Sequence, residues 1–407
     1  MHPMPRRIQK LLELAFFGQN RRVMFSMISR FSPPLSEGRI VRAAVGGTGG
    51  RKLGWRRVLG IILAWGWAGA VGFVAEAAPP HFEPLSVPGK ALEGNPLGDP
   101  VERRVAVFTP ELPKFSSKLM TCYYLPGFGG SSEDFIGSHG GRFAEVFQQL
   151  ADQGIPMRMV VVDCRNRWGG SQYINSPAQG NYADYLLEDV IPYLEKKFGT
   201  PATPRDRILA GHSSGGFGVL RVAMMAPERF GAMVALSPDS DFEVTHRPLA
   251  QAQVVQQVTP GQMKRYIAPP GQMVLPSNSL VTIMLGLSAA YAAKGPNEPG
   301  EFHWLYNEKG QWQEEVWQNW LEEDPVVIAR RTPYPFLNYH RVYLDGAEHD
   351  EFGAQKGARV LRDVLKPSTK VEFYESPGGH AEHIEERLAR GLEWVFGKKP
   401  RPIAGRP

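Results

Sequence analysis

Residues 207–218 of the chain read RILAGHSSGGFG, two serines inside a cage of glycines. A serine hydroxyl is a useful nucleophile only when a base takes its proton and an acid orients that base. Gly211-His212-Ser213-Ser214-Gly215 fits G-x-S-x-G with Ser213 at its centre, because Ser214 would need a glycine at 212. The glycines have a steric reason. On so tight a strand-to-helix turn, side chains two before and two after the serine would strike the strand or the helix. The turn leaves the Ser213 hydroxyl clear of the sheet's carboxyl end, and Ser214 offers an oxyanion its backbone N–H rather than its hydroxyl. The pentapeptide alone also describes a glycine-rich turn without chemistry. The strand-like run before it and the helix-like run after it favour a nucleophile.

On such a turn the partners follow in the order serine, acid, histidine. Asp350, in LDGAEHDEFG, stands just beyond the apolar run HRVYLD, where the acid is expected. Asp345 ends that run and reads as a turn residue. SPGGHAEH offers two bases, His380 and His383. His380 sits in a glycine-bracketed loop after a strand. His383 falls on the first turn of a helix whose apolar face is Ile384, Leu388, Leu392 and Val395, so it is expected in solvent. The expected triad is therefore Ser213, His380 and Asp350. Leu125-Pro126-Gly127-Phe128-Gly129-Gly130 follows another strand-like run, and the N–H of Phe128 is the candidate second oxyanion donor beside Ser214.

The elements that must carry these residues recur in a simple rhythm. Strand-like runs at 104–108, 119–127, 157–163, 207–211, 231–238, 340–346 and 370–379 alternate with helical periods such as 143–154 and 182–199. Alternation of this kind predicts a mostly parallel sheet with helices on both faces. Residues 239–339 break the rhythm and read as a cap-like insertion between two core strands, with Trp304, Trp312, Trp317 and Trp320 as packing anchors. Residues 78–103 read as an N-terminal extension, 104–397 as the main domain and 398–407 as a disordered tail.

The chain has 407 residues, 43% hydrophobic and 21% charged, the balance of a globular protein. Its net charge of +5 is concentrated in a leader: residues 1–57 hold twelve Lys/Arg against two Glu. With that leader removed the remainder is slightly acidic, which excludes a nucleic-acid reading. Lys52, Arg56 and Arg57 precede the uncharged run VLGIILAWGWAGAVGFVA, and Ala75-Glu76-Ala77 closes it. This is the plan of a secretory signal peptide over 1–77, with an extracytoplasmic, periplasmic or secreted, mature chain. Membrane association is expected only if the leader stays uncleaved. Cys122 and Cys164 end neighbouring strand-like runs and read as two buried thiols, one disulfide being the alternative. Two cysteines do not make a zinc site.

YYLPGFGG, GGSQYINS followed by GNYADYLLEDVIPYLE, AGHSSGGFG, VWQNWLEEDP, LDGAEHDEFGAQKGARVL and SPGGH together resemble the putative-esterase family of α/β-hydrolases. That family includes esterase D, the feruloyl and enterochelin esterases and the mycolyltransferases. The resemblance covers about residues 100–397 and implies an α/β-hydrolase fold. It also implies Ser213, Asp350 and His380 as triad, and a carboxylic-ester hydrolase with neither metal nor cofactor. It puts GGSQYINS beside the site, with Tyr173 and Asn175 as candidate substrate contacts. Three functions follow: an exported serine esterase for a small or polymer-linked ester, an acyltransferase in which an alcohol replaces water, or a non-catalytic binding protein on the same scaffold. Turnover with and without an acceptor alcohol separates the first two, and fluorophosphonate labelling separates both from the third.

Overall fold

The computed structural model describes residues 80–112, 119–137, 139–199, 203–267 and 275–403. The leader and signal peptide expected over 1–77 lie outside the described residues. Eight strands form one sheet: β1 (Glu83–Pro88), β2 (Glu102–Phe108), β3 (Met120–Leu125), β4 (Met157–Val161), β5 (Arg207–His212), β6 (Ala232–Leu236), β7 (Arg341–Ala347) and β8 (Val371–Ser376). Their spatial order is β1-β2-β4-β3-β5-β6-β7-β8. β3 to β8 run parallel, while β1 and β2 are antiparallel to their neighbours. The helices that matter to the site are α1 (Gly140–Asp152), α2 (Ile191–Phe198), α3 (Ser214–Met225), α4 (Ser279–Tyr291), α5 (Glu314–Glu322), α6 (Ala354–Leu365) and α7 (Ile384–Val395). The fold is that of the α/β-hydrolases.

The central strands are apolar on both faces because helices cover both. On β3, Cys122 and Tyr124 pack with α1 and α7, whereas Tyr123 and Leu125 pack with α2, α3 and α6. Cys164 belongs to the core opposite Cys122, so the two thiols face apart and both are free. The run 182–199, expected as one helix, is wound more widely over Tyr185–Val190 before α2 begins. Pro192 explains the difference, since it lacks the N–H and crowds the carbonyl that a regular α-helix would use there.

Two expected boundaries are corrected. β1 pairs with β2 from Glu83↔Val107 to Pro88↔Glu102, so residues 83–88 and 102–103 belong to the sheet, with a short 3-10 turn at Lys90–Leu92 between them. EPLSVP alternates too weakly to announce a strand; the free edge of β2 supplies the partner. The tail is ordered at least to 403. Arg401 donates to both carboxylate oxygens of Glu393 on α7, at 2.6 and 2.7 Å, and Ile403 is buried.

Between β6 and β7 the chain is mostly helical and has its own core, containing Met284, Leu285, Trp304, Trp317 and Trp320. Trp312 is only half-buried, packed edge-on to Tyr306. This core continues into Trp168, from the loop after β4, and Phe217, in the first turn of α3. The insertion therefore packs at the carboxyl ends of the parallel strands. Among the described residues no helix is long and apolar enough to cross a membrane.

Candidate active site

β5 delivers Ser213 and α3 carries the chain away. Ser213 adopts φ 59° and ψ −125°, a left-handed backbone that a non-glycine residue holds only at a cost of ~1–3 kcal/mol. Tight neighbours enforce it. A Cβ at Gly211 would lie 2.4 Å from the Gly215 carbonyl oxygen, and one at Gly215 would lie 1.8 Å from that of Leu125. The Ser213 N–H donates to Leu236 O at 2.9 Å, tying the turn to β6.

The loops after β7 and β8 bring the other candidates to this turn. Ser213 Oγ lies 2.9 Å from His380 Nε2, and His380 Nδ1 lies 2.7 Å from Asp350 Oδ2. The other Asp350 oxygen accepts from the N–H groups of Phe352 and Ala354, at 3.0 and 3.3 Å. Phe352 meets the His380 ring edge-on. His383 caps α7 in a left-handed conformation and takes no part in this chain of hydrogen bonds.

Asp345 departs from expectation. β7 runs two residues past it, so Asp345 is not a turn residue but an inward-facing strand residue, fully buried. It grips Arg387 of α7, also fully buried, through two hydrogen bonds of 2.8 Å. Arg387 in turn donates to Ser237 Oγ at 2.6 Å and to the His380 carbonyl at 2.9 Å. The Ser237 hydroxyl hydrogen-bonds Asp350. His212 Nε2–H donates to the same His380 carbonyl at 2.9 Å. His380 is thus held at its ring by Asp350 and at its backbone by Arg387 and His212.

On the opposite side, Gly127 comes so close that a Cβ there would be 3.2 Å from that of Ser213. Among the described residues no acceptor meets the N–H of Phe128 or of Ser214. The Phe128 ring is wedged among Gly169, Gly170 and Gly286, where added Cβ atoms would fall 2.7–3.1 Å from it. A narrow cleft runs along this loop, lined by Phe128, Arg165, Gln172, Tyr173 and Ser214 among others. Tyr173 is committed to structure: its hydroxyl donates to Pro126 O at 2.6 Å and its ring covers Gly218. Asn175 does not reach the cleft. Its carbonyl accepts from the N–H groups of Ala183 and Asp184, capping the next helical segment. Of the GGSQYINS side chains, Gln172 lies beside Ser214 along the cleft.

A family model described as "Putative esterase" matches residues 101–392. The chain belongs to the putative-esterase family. It is a serine carboxylic-ester hydrolase. Among solved structures the esterase is similar to FphF, a fluorophosphonate-binding serine hydrolase of Staphylococcus aureus, at 17% identity and TM-score 0.48, over 78% of this chain and 99% of that one. It is similar to an S-formylglutathione hydrolase from Agrobacterium tumefaciens at 14% identity and TM-score 0.49, over 79% and 97% of the two chains. A ferulic acid esterase from Anaeromyces mucronatus gives 14% and 0.45, over 78% and 91%. No curated protein matches the chain.

The electrostatics of the esterase's site follow from burial and one charge. Burial works against the His380 imidazolium, but the charge and hydrogen bond of Asp350 outweigh it, and the pKa ends above its ordinary 6.5. Burial likewise opposes ionisation of Asp350, yet His380 holds its carboxyl well below the usual range. His212 has no such partner. Burial first, then the neighbouring His380, push its pKa well down, so it serves as a neutral donor.

Proposed function

We propose that this esterase is exported and works through an acyl-enzyme on Ser213. Ser213 Oγ attacks the ester carbonyl carbon and passes its proton to His380 Nε2. The N–H groups of Phe128 and Ser214 receive the oxyanion. The C–O bond to the alcohol breaks, and His380 returns its proton to the departing oxygen. Water then adds to the acyl-enzyme, again giving a proton to His380, and the acid leaves as Ser213 regains its hydrogen. Asp350 stays ionised throughout, fixing the tautomer and supporting the imidazolium. The observation that carries this reading is the pair of short contacts from Ser213 through His380 to Asp350.

Export is supported by the basic stretch, the uncharged run and the small residues around Glu76. Fluorophosphonate labelling and p-nitrophenyl acetate turnover test the chemistry. Ser213→Ala should lose labelling, and turnover should fall to the ~10³–10⁴ over water that binding and oxyanion donors alone retain. His380→Ala should fall to a similar level, because nucleophile and base act as one unit. A Ser213→Ala variant with full turnover would refute the assignment.

A further inference from the structure

A second polar group lies beside Ser213, and neither the triad nor the oxyanion donors use it. Asp239, just past β6, accepts from Ser214 Oγ at 3.0 Å, and its side chain is 14% exposed. Gln172 reaches it from the loop after β4, with Nε2 at 3.5 Å, and donates to Tyr291 OH of α4 at 2.8 Å. Gln172 and Tyr173 are consecutive non-glycine residues at φ 54° and 56°, a strained backbone pinned by the Tyr173 hydroxyl. Strain of this kind persists where surrounding structure over-determines it, often at ligand clamps.

Two features leave acceptor capacity unused here. Gln172 is fully buried and its Oε1 has no hydrogen-bond partner, although the residue lines the cleft next to Ser214. Flipping the amide would set that oxygen against the Asp239 carboxylate, so the orientation is fixed by its neighbours. Among the described residues no Arg or Lys pairs with Asp239. The nearest basic group, His246 Nε2, is 3.9 Å away, and its burial lowers its pKa.

We propose that Asp239 and the Gln172 carbonyl form a subsite that accepts hydrogen bonds from a hydroxyl or ammonium group of the ester substrate. A largely buried carboxylate with no Arg or Lys partner, beside an amide oxygen with no protein donor, matches that chemistry and disfavours a purely apolar ester. The proposal rests on Ser213 being the nucleophile, since it concerns what is presented to that residue.

The test compares near-isosteric ester pairs on the mature enzyme and on Asp239→Asn. On the alcohol side the pair is propyl acetate and 2-hydroxyethyl acetate. On the acyl side, methyl propionate is set against methyl glycolate for a hydroxyl and glycine methyl ester for an ammonium. Comparing each variant with wild type on the same ester cancels intrinsic reactivity. Losing a hydrogen bond to a charged group should lower kcat/KM for a donor-bearing ester about tenfold to a hundredfold more than for its apolar partner. Gln172→Met should shift the same ratio in the same direction, and the rate of fluorophosphonate labelling reports whether either variant keeps a formed site. Equal losses within every pair, with wild type labelled and hydrolysing plain esters, would overturn the subsite and leave the esterase reading intact. Absence of both labelling and hydrolysis in wild type would overturn the two together.

Discussion

Asp345→Asn is the sharpest test of how the base is held. The substitution keeps the shape of the side chain and removes its charge, leaving the buried Arg387 guanidinium without a counter-charge and with one acceptor where it had two 2.8 Å bonds. Breaking a buried pair by removing one member costs ~3–5 kcal/mol, much of it the desolvation of the orphaned charge. With an unfolding entropy of about 2.1 cal/mol/K per residue, a domain of this size should lose about 5–8 °C in Tm. Kinetics should suffer separately. Arg387 anchors the His380 carbonyl at 2.9 Å and reaches Asp350 through Ser237, so a shifted guanidinium should misplace both. Small misplacements in such sites cost up to ~10²-fold, and kcat on p-nitrophenyl acetate should fall tenfold or more with little change in KM. Thermal unfolding followed by circular dichroism and steady-state kinetics read the two effects. The double variant Asp345→Leu/Arg387→Met separates them, because an apolar pair often restores stability while the His380 carbonyl stays without its guanidinium donor. Wild-type Tm and kcat in Asp345→Asn would refute the whole account. Restored Tm with full kcat in the double variant would refute the positioning role alone.

Other outcomes follow from the same geometry. His380 must be neutral to take the serine proton, and its pKa lies above 6.5, so the acid limb of kcat/KM should fall above that pH. Asp350→Asn should move the limb down, since Asp350 is what raises it; an unmoved limb would mean another group titrates. Gly215→Ala should fail to give folded protein, its Cβ falling 1.8 Å from a backbone oxygen, whereas Gly141→Ala, with nothing within 4 Å, should unfold at or above the wild-type temperature. Intact mass of the extracytoplasmic protein should give an N-terminus near Ala78; a chain retaining residues 58–77 would favour a membrane anchor.

Much of this architecture is written locally. Ser213 stands out because the glycines that its turn demands are its own near neighbours in the chain, so one short stretch carries both the constraint and its solution. Strands β3 to β7 announce themselves because burial on both faces leaves largely apolar runs, whereas the edge strand β8, VEFYES, is only partly buried. His380 and Asp350 could be singled out from the loops after two strands, and the fold brings His380 within hydrogen-bond distance of both Ser213 and Asp350. What tertiary structure alone decided are pairings between residues far apart in sequence. Asp345 looked like a turn because its strand's end was drawn two residues early, and only the packing of α7 against β7 gives it Arg387. β1 exists because β2 offers an edge, not because EPLSVP prefers to be a strand. Asn175 was drawn off to cap a helical turn, and Gln172 was carried towards Asp239 and Tyr291 by a strained backbone. A single chain position shows what a side chain can do; which partner it meets depends on the distant residues that the fold brings beside it.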